Sequence, residues 1–336
     1  MKAVIFDKPG LENLRVVEDV PIPEVKEGEV LIKVMMAGVN PIDYFVVTGS
    51  REAKPLPHIP GAEFAGIVES VGPNVTNVQR GNKVVVYPRL FDGTCDMCLV
   101  FKEMLCRNGG VIGVTCNGGF SEYVKVPSDN VFKIDEGMDW ELAASMPVSA
   151  LTAYHALNSA SLSLNNYVVV VGASGNTGMF ATQLARLVFS AKVIGVSRKK
   201  WVERFGAFMV VEKEHALEKI KEVTNGKMAD VVIDPLGAET FLNSLELLKP
   251  NGKLVTYGVL TGSTVELPIF KIYNQQLSII GTTGGSRREL TDLLNQYKWL
   301  QVKTWKKFKL EETKTAIESL SSPERDGRIF LDLTAQ

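Results

Sequence analysis

Apolar residues along the first third of the chain fall in short alternating runs. Glu29-Val30-Leu31-Ile32-Lys33-Val34 alternates polar and apolar positions, the pattern of a half-buried strand. Phe64–Val71 and Lys83–Tyr87 read the same way, and turn signals such as Pro73-Asn74 and Asn108-Gly109-Gly110 separate such segments. The texture changes after about Pro127. One helical stretch is predicted over Trp140–Ala160. The continuous apolar run Tyr167-Val168-Val169-Val170-Val171 then predicts a strand covered on both faces. Similar runs recur at Lys192–Ser197, Phe208–Val211, Asp230–Ile233, Lys253–Tyr257 and Leu277–Ile280, most of them separated by helical patterns. Strand-helix alternation of this kind predicts a doubly wound parallel sheet. Beyond it, the pattern predicts one long helix, a second around Leu310–Leu320, and a last strand at Arg328–Leu333.

The expected fold class is therefore α/β, with a β-rich domain and a parallel-sheet domain. The length of 336 residues suits two domains. We expect 1–125 to form a β-rich domain and 126–283 the parallel-sheet domain, whose six strands match the size of a dinucleotide-binding domain.

Composition narrows the function classes. Lys and Arg number 37 against 38 Asp and Glu, for a net charge of −1, so no global electrostatic case exists for nucleic acid or membrane as a partner. The basic stretch Lys303–Lys309 is read as a solvated surface segment. No apolar run approaches the roughly 18 residues of a membrane span, and the amino end lacks a signal peptide's long apolar region. Four cysteines, three of them close together, fit a metal site in a reducing, cytoplasmic compartment better than a disulfide framework.

The strongest chemical signal is Gly172-Ala173-Ser174-Gly175-Asn176-Thr177-Gly178, between the strand 167–171 and a helical pattern. Glycines there permit a tight turn and let the backbone approach a pyrophosphate seated on a helix amino end. Gly172, Gly175, Asn176, Thr177 and Gly178 are the cofactor-binding candidates. The residue that usually meets the adenosine ribose lies about 20 positions on, at Ser197. A carboxylate would repel a 2′-phosphate, whereas Ser197, Arg198 and Lys199 suit one, so the cofactor expected is NADP(H). Gly258 and Val259, after the fifth strand, are expected to line it.

These features resemble the medium-chain dehydrogenase/reductase superfamily over nearly the whole chain. The landmarks are Ala37–Asp43, Pro60–Gly66, Gly119–Tyr123, Leu151–Tyr154, the glycine turn, Asp230–Gly237 and Gly327–Asp332. The resemblance implies a GroES-like catalytic domain made from both chain ends, 1–125 and 284–336, a central Rossmann-type, dinucleotide-binding domain over 126–283, and a substrate cleft between them. It also implies a homodimer or homotetramer, and it places Thr152 on the nicotinamide side.

Zinc alcohol dehydrogenases of this superfamily place a Cys where this chain has Asn40, a His-Glu pair where it has Ala62-Glu63, a third ligand near Val148 and a relay hydroxyl at Ile42. Glu63 alone cannot hold zinc, which needs three protein ligands and an open position. The segment Gly38–Asp43 looks instead like the zinc-free quinone oxidoreductase branch. The superfamily's structural-zinc lobe is Cys-x2-Cys-x2-Cys-x7-Cys. Here Cys95-x2-Cys98-x7-Cys106 keeps three ligands and Asp92 stands in the first position, with Glu103 as a rival fourth ligand. One structural zinc per chain is expected.

Without a Lewis acid, hydride addition to an already electrophilic carbon is easier than oxidation of an alcohol. The expected activity is NADPH-dependent reduction of quinones or α,β-unsaturated carbonyl compounds. Asn40 either donates its amide to substrate or ribose, or orders its own loop before Pro41. Tyr44 either donates a proton or hydrogen bond, or packs as a buried ring. His58 reads as a loop residue. The alternatives are a zinc-type alcohol dehydrogenase and a nucleotide-binding redox sensor with little turnover.

Overall fold

The structure, a computed structural model, describes residues 1–334. It contains two compact units. The first comprises Met1–Val148, Ser286–Lys298 and the segment from Val302 onward; the second comprises Ser149–Gly285 with Trp299–Gln301.

The first unit is built on a seven-stranded sheet. Its order is Thr304–Phe308, Arg328–Asp332, Glu29–Gly38, Glu63–Val71, Lys83–Val86 and Val131–Lys133, with Tyr123–Pro127 also paired to Glu29–Gly38. The central strand Glu29–Gly38 bends through register shifts after Leu31 and Val34. Such irregularities let one long strand curve around a core. Val30, Ile32, Val34, Phe64, Val68, Val84, Val86 and Phe120 fill that core.

This unit's leading segment reaches Val148, beyond the expected boundary at 125. Val131–Lys133 pairs antiparallel with Lys83–Val86, and Trp140–Ala143 packs on the strands Glu29–Gly38 and Glu63–Val71. The helix expected over 140–160 is interrupted. Trp140–Ala143 is one turn, Met146–Ala150 is a π-helical turn, and Leu151–Ala160 is the regular helix. Pro147 lies inside the π turn, where it can donate no backbone bond. The long helix expected after 284 is shorter, Arg287–Asn295, capped by Ser286 and Glu289. The basic stretch contains a strand, Thr304–Phe308, whose flanking Lys303 pairs with Asp326 at 2.8 Å and whose Lys307 pairs with Glu141.

The second unit is a six-stranded, wholly parallel sheet. Its order is Met209–Val211, Lys192–Val196, Tyr167–Val171, Ala229–Asp234, Leu248–Thr256 and Ser278–Gly281. Val168, Val169 and Val170 are fully buried, as a strand covered on both faces requires. Each such side chain contributes roughly 1.5–3 kcal/mol of burial. The strand order reverses between Tyr167–Val171 and Ala229–Asp234, and in such sheets ligands bind beyond the carboxyl ends at that point. Among the described residues, no helix is long and apolar enough to cross a membrane.

Candidate active site, nucleotide turn and cysteine lobe

Glu63 begins its strand with a fully buried carboxylate. A charge there persists only if its lone pairs are occupied. Oε2 accepts from the Arg328 guanidinium at 2.7 Å and from the Asn40 amide at 2.8 Å, and Oε1 accepts from the Val148 backbone N–H at 2.8 Å. Arg328 is itself fully buried. Gly38 makes room for the pair, because a Cβ there would run into the Arg328 guanidinium and the Ala144 carbonyl.

Asn40 precedes the helix Pro41–Val47 and is 3% exposed. Its amide nitrogen donates to Glu63 and, at 3.3 Å, to the Gly38 carbonyl. These contacts are the ones the loop-ordering reading expects. Asp43, one turn on, accepts from the backbone N–H of Asn40 at 2.8 Å and of Ala62 at 3.1 Å. Burial nevertheless lifts its carboxyl to about 7, with Glu63's charge adding to the rise.

The positions where zinc alcohol dehydrogenases grip their catalytic metal therefore hold a committed amide (Asn40), a methyl group (Ala62) and an apolar side chain (Val148). The one carboxylate among them is engaged by three donors. These residues do not fit a catalytic zinc.

Tyr44 lies on the same helix, 39% exposed and edge-on to Phe45, so it is not the buried packing ring that was one of its two readings. His58 lies outside the named strands and helices, as a loop residue would, at an isolated bridge to Phe6. It is fully buried, its Nε2 lies 2.9 Å from the Gly113 carbonyl, and its ring meets Phe6 edge-on.

In the second unit the glycine turn leaves the strand Tyr167–Val171 and opens the helix Gly178–Leu187. Gly172 has φ +65°, a conformation that favours glycine, and a Cβ at Gly178 would strike the Gly172 carbonyl. The turn is therefore as tight as a pyrophosphate cradle needs to be, with the helix amino end behind it. Asn176 is buried and Thr177 half-buried within it.

Ser197 follows the strand Lys192–Val196. Its hydroxyl donates to Ser174 in the turn at 2.9 Å and accepts from the Lys199 N–H at 3.0 Å. Arg198 is exposed beside it. At the carboxyl end of the strand Leu248–Thr256, Gly258 packs where a Cβ would meet the Pro235 carbonyl, and Val259 is 52% exposed. Thr152 is half-buried on the helix Leu151–Ala160. These residues fit a dinucleotide.

The cysteine lobe brings Asp92, Cys95, Cys98 and Cys106 together, with one ligand atom from each within 4.8 Å of the others. Cys95 Sγ lies 3.6 Å from Cys98 Sγ and 3.8 Å from Cys106 Sγ, and all are free thiols. Tetrahedral zinc with bonds of about 2.3 Å needs sulfurs about 3.8 Å apart. Asp92 is held by the backbone N–H groups of Cys95 and Thr94 and by the Asn108 amide, which keep its carboxyl far below the usual range. Burial and the adjacent thiols push Cys98 up to about 12, an arrangement that a dication would relieve. Glu103 is outside this group. The four residues fit a closed structural zinc site, and the chain offers no comparable group elsewhere among the described residues.

No local signal marks Arg328 as a partner of Glu63, 265 positions away. The roles of Asp43 and Tyr257 likewise depend on contacts distant in sequence. Only the small residue Gly38, next to an otherwise ordinary strand end, hinted at a crowded polar site.

Comparison with known proteins follows the same lines. Residues 26–136 match the alcohol dehydrogenase GroES-like domain, and residues 177–299 match the zinc-binding dehydrogenase domain. The NAD-dependent alcohol dehydrogenase of Sulfolobus acidocaldarius is 32% identical over 348 residues, covering 99% of this chain and 100% of that one. Human quinone oxidoreductase is 30% identical over 292 residues, covering 84% and 80%. The structure of a cobalt- and zinc-bound thermostable alcohol dehydrogenase from Pyrobaculum aerophilum superimposes with a TM-score of 0.92 at 39% identity, covering 99% of each chain. The chain belongs to the medium-chain dehydrogenase/reductase superfamily and is an oxidoreductase. Its relatives include both alcohol dehydrogenases and quinone oxidoreductases.

Proposed function

We propose that the protein is a reductase of quinones or α,β-unsaturated carbonyl compounds that works without a metal at the reacting carbon and prefers NADPH. The observation that carries this reading is the saturation of Glu63 by Asn40, Arg328 and Val148, at the place where a catalytic metal is otherwise gripped.

The reduced nicotinamide, when bound, supplies the hydride. The glycine turn and Thr177 hold the pyrophosphate, and Ser197, Arg198 and Lys199 hold the 2′-phosphate. Thr152, Gly258 and Val259 line the nicotinamide half. A conjugated acceptor spreads the incoming charge onto its own oxygen, so the protein needs to orient it and exclude water. Tyr44 is the hydroxyl assigned to meet that oxygen. The buried network of Asn40, Glu63, Arg328 and Asp43 fixes the amino end of the helix Pro41–Val47, on which Tyr44 lies. Asp92, Cys95, Cys98 and Cys106 would hold one zinc that braces the lobe and takes no part in the reaction.

The relatives favour a second reading. Several of them are named NAD-dependent alcohol dehydrogenases, and on that comparison alone, alcohol oxidation with NAD has the better support. Against it stand Asn40, Ala62 and Val148, which supply no ligand, and Ser197, where a carboxylate for NAD would be expected.

A screen of NADPH and NADH oxidation with quinones, enals and enones, alongside nucleotide reduction with simple alcohols, separates the two. The proposal expects turnover of the conjugated acceptors with NADPH and little with alcohols. Chelator-sensitive oxidation of simple alcohols with NAD would overturn it in favour of the second reading.

A further inference from the structure

Tyr257 follows directly after the strand Leu248–Thr256. That strand is separated from Tyr167–Val171 by Ala229–Asp234, so the carboxyl end of Tyr257's strand lies two places from the strand that feeds the glycine turn. The phenol nevertheless reaches Thr177, 80 positions earlier, and donates to its Oγ1 at 3.2 Å. Thr177 is the residue immediately before the helix Gly178–Leu187. The side chain thus arches over the carboxyl end of Ala229–Asp234, at the point where the strand order reverses and where such sheets bind dinucleotides.

We infer that Tyr257 is a positioning residue for the dinucleotide, acting through Thr177. This rests on the nucleotide-binding reading above. A hydroxyl that accepts a hydrogen bond is left with its own proton to give away. With the phenol fixed as donor, the Thr177 hydroxyl is oriented to donate onward to an anionic oxygen at the helix amino end, which is where the turn receives a pyrophosphate. Burial and the charge of Asp234 raise the Tyr257 phenol well above its ordinary range, so it stays a donor throughout the working pH range. The neighbouring Gly258, which has no room for a side chain against the Pro235 carbonyl, fixes where the chain leaves the strand and hence where the ring projects.

The test is a thermodynamic cycle of Tyr257→Phe, Thr177→Val and the double variant, with Thr177→Ser as the conservative control. Dissociation constants for NADPH and NADH are read by quenching of protein fluorescence, and Michaelis constants for the electron acceptor in steady state. We expect Tyr257→Phe to weaken binding of the preferred dinucleotide roughly three- to tenfold, the size of one hydrogen bond. The acceptor's Michaelis constant stays within about twofold, the double variant is no weaker than Thr177→Val, and Thr177→Ser binds like wild type. Wild-type affinity in Tyr257→Phe, or additive losses in the double variant, overturns this inference alone. A wild-type protein that binds neither dinucleotide overturns the nucleotide-binding reading together with it.

Discussion

Arg328 and Glu63 form an ion pair with N···O 2.7 Å, and both side chains are fully buried. Their charges balance one another where water cannot. Removing one partner strands the other, at a cost of about 3–5 kcal/mol. Arg328→Met should therefore lower the unfolding midpoint by roughly 10 °C, and Arg328→Met combined with Glu63→Leu should be less harmful than the sum of the two. Calorimetry on the three variants checks this. Additive losses, or a silent Arg328→Met, would contradict a coupled pair.

Asp43 gives the same site a pH dependence. Its folded carboxyl titrates at about 7, above the ordinary value near 4 that the unfolded chain retains. The folded state then binds a proton that the unfolded state has released. The stability from this group is full below about pH 4, is lost as pH rises toward 7, and changes little above that. The urea-unfolding advantage of wild type over Asp43→Asn should shrink between pH 5 and pH 8. An advantage that grows with pH would reverse the sign argued here.

The cysteine lobe should carry one zinc per chain, measured by elemental analysis of protein purified without chelator. Cys98→Ser should lose the metal and become susceptible to proteolysis between Asp92 and Cys106, with the chemistry of any remaining folded enzyme unchanged. Metal-free wild-type protein with an intact, protease-resistant lobe would remove zinc from the account.

On the proposed reading, nucleotide choice rests on Ser197, Arg198 and Lys199. Ser197→Asp puts a carboxylate where we place the 2′-phosphate, and Arg198→Ala removes its proposed counter-charge. The double variant should shift the ratio of kcat/KM for NADPH over NADH by about 10- to 100-fold toward NADH. Wild-type protein that already prefers NADH would align it with its NAD-dependent relatives.

We also propose a homodimer formed through the edge of the parallel sheet. Among the described residues the strand Ser278–Gly281 is paired on one side only, and Ile269, Phe270 and Tyr273, on the helix that precedes it in sequence, are 63–71% exposed. An unpaired edge preceded in sequence by apolar side chains suits pairing with a second copy about a two-fold axis. Sedimentation should give twice the chain mass, and Phe270→Asp should lower it. A monomer at micromolar concentration would rule this out.

Much of this architecture was legible before the structure. The apolar run 167–171 followed by Gly172–Gly178 carries its own meaning, because a fully covered strand and a glycine turn are both local signals. The spacing of Cys95, Cys98 and Cys106 is equally local, and stepping back by the same interval leads to Asp92, whose carboxylate lies with the three thiols. What stayed hidden depends on long-range packing. Nothing near Glu63 announces Arg328, which arrives on the strand Arg328–Asp332 beside Glu29–Gly38. Asn40's contact with Glu63 is invisible in a linear pattern, which leaves both readings of Asn40 open there. Helical periodicity ran straight through Pro147, where the backbone widens into a π turn instead of continuing. The leading segment of the first unit was cut short because Val131–Lys133 is too brief a strand to announce its pairing.

The central claim is that this chain grips no metal at the reacting centre. Anomalous diffraction at the zinc absorption edge, on crystals grown with excess zinc and nucleotide, tests it most directly. The account predicts one peak per chain, among Asp92, Cys95, Cys98 and Cys106. A second peak ligated beside Asn40 and Glu63 would contradict it.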